Sequence, residues 1–286
     1  RILDIEDLIR FLRNPAHYFL ARRLGLRLPE EVEIPEDTEP FDGDNLERYQ
    51  LRQSLAQGLL AGRDRASILA RLRGEGTLPQ GAPGELLLDE QLAEAEPFVR
   101  RLEGRLSEAL EPIEVDLPLA GFRLQGRLDG LQPTGLLDSR LGSLKAKDRL
   151  RAWVRHLVLN CLAPKGIEPA STWLAKDLTL TLRPVEDPAA LLADLLDLRW
   201  QGLRRPLAFF PESSLAWVEQ GYGNAFEQAW SGRYNAVPEQ ADVAVRIAFR
   251  GRDPIRDDPV RADFERTAAR VLQPMLACSE TLRADR

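Results

Sequence analysis

Arg127, Asp129, Asp138 and Arg140 lie within one short stretch, GRLDGLQPTGLLDSR over residues 126–140. Gln132, Pro133, Thr134 and Gly135 between them read as a turn, because proline presets one backbone angle and glycine accepts a positive one. Strands folding back symmetrically about that turn set Asp129 opposite Asp138 and Arg127 opposite Arg140. Alternation along each strand then places all four side chains on one face. Opposed carboxylates repel each other unless a cation lies between them. A magnesium ion is one such cation, since it prefers carboxylate and water oxygens and activates water for phosphodiester hydrolysis. Arginine is the other. Asp129 with Arg140 and Asp138 with Arg127 are diagonal partners, about 7–8 Å apart at the backbone. A guanidinium does not act as a base, and it competes with a metal for the same oxygens. The expectation is a self-neutralised cluster without a resident metal; a magnesium site on Asp129 and Asp138 is the alternative. Glu85 and Asp89, one turn apart on the preceding helix, are candidates to enlarge the acidic set.

These residues need elements to position them. Residues 113–140 alternate in polarity and predict a meander of strands, IEVDLPLA, FRLQGRLD and TGLLDSR. The apolar run AWVRHLVLNCLA predicts a helix packed on the sheet, and STWLA with LTLTL predicts a second hairpin about Lys176–Asp177. Upstream, helical periodicity runs from residue 4 and breaks at Pro15, with Asn14 starting a second helix. An acidic, proline-punctuated connector covers Glu30 to Asp44. Two helices follow over 44–74, broken near Gly62, and another over about 84–109. Helices are predicted over about 188–203, 213–230 and 259–273. The order implies an α/β fold, a mixed sheet flanked by helices with a helical N-terminal annex. The expected division is annex and connector over 1–80 and core over 81–286, in one compact unit.

Bulk composition narrows the classes. A hydrophobic share of 44% and a charged share of 29% fit an ordinary globular protein. No apolar run approaches a membrane span or a signal sequence, and the sole methionine is Met275. Part of a longer, cytoplasmic chain is therefore expected. Cys161 and Cys278 have no metal-ligand spacing, so neither a disulfide framework nor an iron–sulfur site is expected. His17 and His156 read as solvated or core histidines. The net charge of −6 argues against a globally basic nucleic-acid coat. The basic residues are almost all arginine, only Lys145, Lys147, Lys165 and Lys176 being lysine. Arginine forks suit phosphate, but codon bias yields the same composition.

The site motifs resemble the PD-(D/E)xK nuclease fold of RecB-type domains. Those carry a helix patterned G-x-x-x-H-x-x-x-E, a strand G-x-h-D, a D-x-K strand and a helix with Q-x-Y. Here Gly81 is followed by Glu85 in the histidine position and Asp89 in the glutamate position. Gly126-Arg127-Leu128-Asp129 is complete, and Asp138-Ser139-Arg140 has arginine for lysine. Arg151 replaces the glutamine and Trp153 the tyrosine. Asn14 stands where iron–sulfur members have cysteine. Within that group the chain resembles the C-terminal region of the RecC family, the gamma subunits of exodeoxyribonuclease V. The phrases that carry this are IPEDTEPFDGDNLERYQL, GTLPQGAPGELLL, LLDSR with LRAWVRHLVL, FFPESSLAW and AFRGRDPI, spread over essentially the whole chain.

The resemblance implies a non-catalytic scaffold in a RecBCD-type helicase–nuclease that repairs double-strand breaks by homologous recombination. It implies RecB and RecD as partners, and a double-stranded DNA end with its unwound single strands as ligand. It implies no cofactor, magnesium entering only if the degenerate site still binds it. An active magnesium-dependent nuclease and a protein-docking domain without DNA contact are the alternatives. Trp153, Trp200, Trp217, Tyr222, Trp230 and Tyr234 are candidates to stack on bases, with core packing the commoner fate. Arg100, Arg101, Arg105, Arg204 and Arg205 are candidate phosphate contacts, with a solvated helix face the commoner reading.

Overall fold

The computed structural model describes residues 1–28, 45–78, 81–232 and 238–284, and for 45–50 and 53 only the backbone. The acidic connector and Tyr234 lie outside the described residues. Strand β1 (Ile2–Asp4) leads directly into helix α1 (Ile5–Arg13), where the Asp4 carboxylate accepts the Glu6 N–H at 2.7 Å and caps the helix. Asn14 ends α1 and caps α2 (Pro15–Leu24), accepting the His17 N–H at 2.9 Å, and Pro15 fills the first-turn position that lacks an intrahelical acceptor. Helices α3 (Asn45–Leu60), α4 (Arg65–Gly74) and α5 (Ala82–Glu103) pack together through Leu55, Ile68, Leu88 and Phe98.

Strands β2 (Ile113–Leu119) and β3 (Phe122–Leu128) are antiparallel, and β1 joins β3 in parallel. A second sheet has the order β4 (Leu131–Gln132), β5 (Gly135–Arg140), β6 (Ser171–Ala175), β7 (Leu178–Leu182) and β8 (Ser279–Arg283). Its β5 and β6 are parallel, bridged by helix α6 (Ala146–Leu162), and its other pairs are antiparallel. Helix α6 is buried almost all round, which is the signature of a central core helix. Its Leu150, Trp153, Leu157 and Val158 share one core with Leu8 and Phe11 of α1, Leu124 and Leu128 of β3, and Leu180 of β7. Helices α7 (Pro188–Gly202), α8 (Pro211–Gln220), α9 (Asn224–Ser231), α10 (Val243–Ala248) and α11 (Asp258–Cys278) complete the chain.

The α/β architecture, the helix pair broken at Pro15 and the hairpin of β6 and β7 agree with the sequence reading. Three features differ. The expected single sheet is two sheets, because β3 and β5 part company at Asp129 and Gly130. The expected helix over 213–230 is two helices, split at Gly221, which takes φ +69°. Strands β1 and β8 were not expected at all. Cys161 and Cys278 are free thiols, and His156 is fully buried. Among the described residues no helix is long and apolar enough to cross a membrane.

Candidate functional site

The turn forms in the expected register, Leu131 opposite Leu136 and Gln132 opposite Gly135. Gly135 takes φ +111°, and a side chain there meets the Ala170 carbonyl at 2.1 Å, so only glycine lets β5 lie this close to the segment entering β6. The pairing extends one step further, to the Leu137 N–H donating to the Gly130 carbonyl at 2.9 Å. There it ends. Arg127 faces Glu114 on β2, whereas Asp138 and Arg140 face Trp173 and Ala175 on β6. The four charged residues therefore do not share one hairpin face, and the two expected diagonal ion pairs do not form.

A residue outside that stretch brings the aspartates together. Arg155, on the buried helix α6, sends its guanidinium between them. Its Nη2 donates to Asp129 Oδ1 at 2.6 Å and to the Asp129 carbonyl at 2.7 Å, and its Nε lies 3.1 Å from Asp138 Oδ2. The Arg155 side chain is 2% exposed, against 64% for Asp129 and 25% for Asp138. Burial alone raises the Asp129 carboxyl, but the Arg155 hydrogen bond and charge overcome it and hold the group below the ordinary carboxylate value. Asp138 moves the other way. Its burial outweighs the attraction of Arg155 and Arg151, and the neighbouring Asp129 charge adds to the rise.

The remaining candidates are held elsewhere. Arg140, in the lysine position, lies 3.1 Å from both Asp148 oxygens at the start of α6. Arg151 pairs with Glu6 of α1 at 2.6 Å. Glu85 and Asp89 pair with Arg73 and Arg65 of α4, at 2.8 Å and 2.6 Å, and do not join the aspartates. Trp153 is core, stacked on His156. An open groove in front of Asp129 is lined by Asp4, Glu6 and Glu114 as well as by Arg127 and Arg151. Among the described residues no three histidine, cysteine or acidic side chains converge as metal ligands. The set does not fit a resident magnesium ion. One oxygen of each aspartate already faces a tethered cation that cannot be deprotonated, and its charge opposes a second cation there. The sequence reading paired the aspartates with Arg127 and Arg140, whereas Arg155 is the residue that contacts both. The usable signal was a charged side chain in the middle of the apolar run 152–159, where burial demands a partner.

The family model described as the RecC C-terminal domain matches residues 1–222. The chain belongs to the RecC C-terminal domain family. It is 34% identical over 226 residues to the RecBCD enzyme subunit RecC of Escherichia coli K12, covering 77% of this chain and 20% of that protein. With RecC of Mycolicibacterium smegmatis it shares 30% over 232 residues, covering 75% and 20%. The chain thus spans about a fifth of the length of these curated relatives. The Asp129–Arg155–Asp138 cluster lies inside the matched region of this RecC C-terminal domain, whereas α9, α10, α11 and β8 lie beyond it.

The domain's other candidate contacts divide sharply. Trp230 is core, and Trp217 and Tyr222 pack against Phe264 and Phe226. Arg101 is structural, donating to the Ala175 and Lys176 carbonyls and to Thr179 Oγ1. Arg205 pairs with Asp263 at 2.5 Å. Trp200 and Arg204 stay at the surface, in contact with each other.

Proposed function

We propose that this RecC C-terminal domain is a non-catalytic scaffold and DNA-guiding module of a RecBCD-type helicase–nuclease. In this reading it docks RecB and RecD and guides the end and unwound strands of broken cytoplasmic DNA during recombinational repair. Its relatives are named as a subunit of the RecBCD enzyme, which supports membership of such an assembly. The observation that carries the non-catalytic part is Arg155. A nuclease needs its paired carboxylates open to a hydrated metal and a group able to take a proton. Here a buried guanidinium bridges them, and the lysine position holds an arginine tied to Asp148.

The experiment is a cleavage assay of the purified chain on linear duplex and single-stranded DNA with magnesium or manganese, beside a manganese titration followed by electron paramagnetic resonance. The expected result is no cleavage and no saturable binding that depends on Asp129. Metal-dependent cleavage abolished by Asp129→Asn overturns the scaffold reading. Docking is checked separately by co-purification with RecB and RecD.

A further inference from the structure

Away from the aspartate cluster, one face gathers arginines around an aromatic ring. On α7, Trp200 lies under the Arg1 guanidinium, 3.8 Å from its ring centre, and Arg204 approaches the same ring at 5.1 Å. The adjacent Arg199 reaches Asp7 of α1 at 3.0 Å. On that one carboxylate Arg22 of α2 and Arg10 of α1 also converge, at 2.7 Å and 3.1 Å. The Tyr18 hydroxyl donates to Asp7 as well, at 2.5 Å. Three guanidiniums thus meet on one carboxylate, and two more flank the ring of Trp200, the residue next to Arg199. The whole chain carries a net charge of −6, so this face stands against the global balance.

Its geometry is organised rather than merely charged. Asp7 anchors three arginine forks from three different helices, and each such pairing engages only part of a fork that carries five donors. Arg10 and Arg22 remain 56% and 55% exposed while Arg199 lies beneath them at 13%. Beside them, the Trp200 ring and its guanidiniums form a stack of flat groups at the surface.

We propose that this face binds a single strand of DNA, its phosphates on the arginine forks and an unpaired base against the Trp200–arginine stack. The proposal rests on the DNA-guiding reading and gives it a location. Phosphates explain the excess of forks. The aromatic stack favours an unpaired base, whose faces are open, over duplex, which hides them. An acidic protein segment uses the forks but has no need of the stack.

The test is fluorescence anisotropy of a labelled thymidine oligonucleotide with the 286-residue chain over a salt series. The variant combines Arg10→Glu, Arg22→Glu and Arg204→Glu. A control of equal charge combines Arg63→Glu, Lys165→Glu and Arg283→Glu, all exposed and none on α1, α2 or α7. The face variant is expected to bind at least about tenfold more weakly at low salt, with a log–log salt slope flatter by about 2, as three lost single-strand phosphate contacts require. The control keeps its slope, and Trp200 fluorescence in the unmodified chain is quenched on binding. Equal losses in variant and control, tighter binding of duplex, or equal competition by polyglutamate overturns this proposal alone. Absence of salt-dependent binding in the unmodified chain overturns the DNA-guiding reading itself.

Discussion

Arg155 places one positive charge against two carboxylates, and the shares are unequal. Asp129 takes the two short contacts to Nη2 and is held below its usual value, while Asp138 is raised by burial. Their effects on stability have opposite signs. The contribution of Asp129 is present above the ordinary carboxylate value and is lost as pH falls through its lowered one. That of Asp138 is present below the ordinary value and is lost as pH rises through its raised one. Arg155→Gln removes the largest attraction acting on each, so both carboxyls shift upward and favour folding in the protonated form more than they do beside Arg155. The variant is expected to lose about 2–4 kcal/mol at neutral pH, below the full cost of orphaning a buried charge because Asp129 is well exposed. The deficit relative to the unmodified chain shrinks toward pH 4.5. Urea denaturation of both proteins at pH 7.5 and 4.5 measures it, and a deficit equal at both values refutes the assignment. The aspartates and the turn between them were legible because turn chemistry is local, and Gly135 does take a positive angle. Arg155 was not, because its partners depend on how α6 docks against β5, which no local spacing encodes.

Helix α6 is the element on which both the site and the sheet depend. One residue beyond Arg155, His156 points into the second sheet: its Nε2 lies 3.0 Å from the Arg183 carbonyl and its Nδ1 2.9 Å from Ser171 Oγ. The carbonyl only accepts, which fixes the proton on Nε2 and leaves Nδ1 to accept from the serine. Burial lowers the imidazole from 6.5 to about 4. The folded state therefore needs the neutral ring, and the stability it contributes is present above pH 6.5 and is lost as pH falls toward 4. The loss reaches about 2–3 kcal/mol by pH 4.5 at 1.36 kcal/mol per unit. His156→Gln does not titrate, so its stability is expected to be flatter than that of the unmodified chain between pH 6.5 and 4.5 in the same denaturation experiment. A parallel pH profile in the two proteins counts against it. At this scale the sequence was most readable where caps and breakers punctuate it: Asn14–Pro15, Gly62 and Lys176–Asp177 each mark an observed boundary. Strands β1 and β8 were invisible because they are short and mostly exposed, and only tertiary pairing to β3 and β7 makes them strands.

The molecule as a whole is held by residues on both sides of the limit where the family match ends. Beyond residue 222, helix α11 sends Val271, Leu272 and Met275 into the main core beside Leu157 of α6, and β8 covers the outer edge of β7. Phe226, Trp230 and Phe264 pack with Ala16 and Leu20 of α2 and with Phe210, so the first helices and the last ones close over each other. Fully burying one such side chain contributes about 1.5–3 kcal/mol. Removing the six named here forfeits on the order of 10 kcal/mol, comparable to the whole stability of a domain, about 5–15 kcal/mol. The matched segment is therefore expected not to fold as a unit by itself. A chain ending at Tyr222 is expected to show no cooperative thermal transition and to be digested rapidly under limited proteolysis, while the 286-residue chain gives one transition and resists. A cooperative transition in the shorter chain within a few degrees of the longer one refutes this. It would mean that α11 and β8 lie on a finished core instead of completing it.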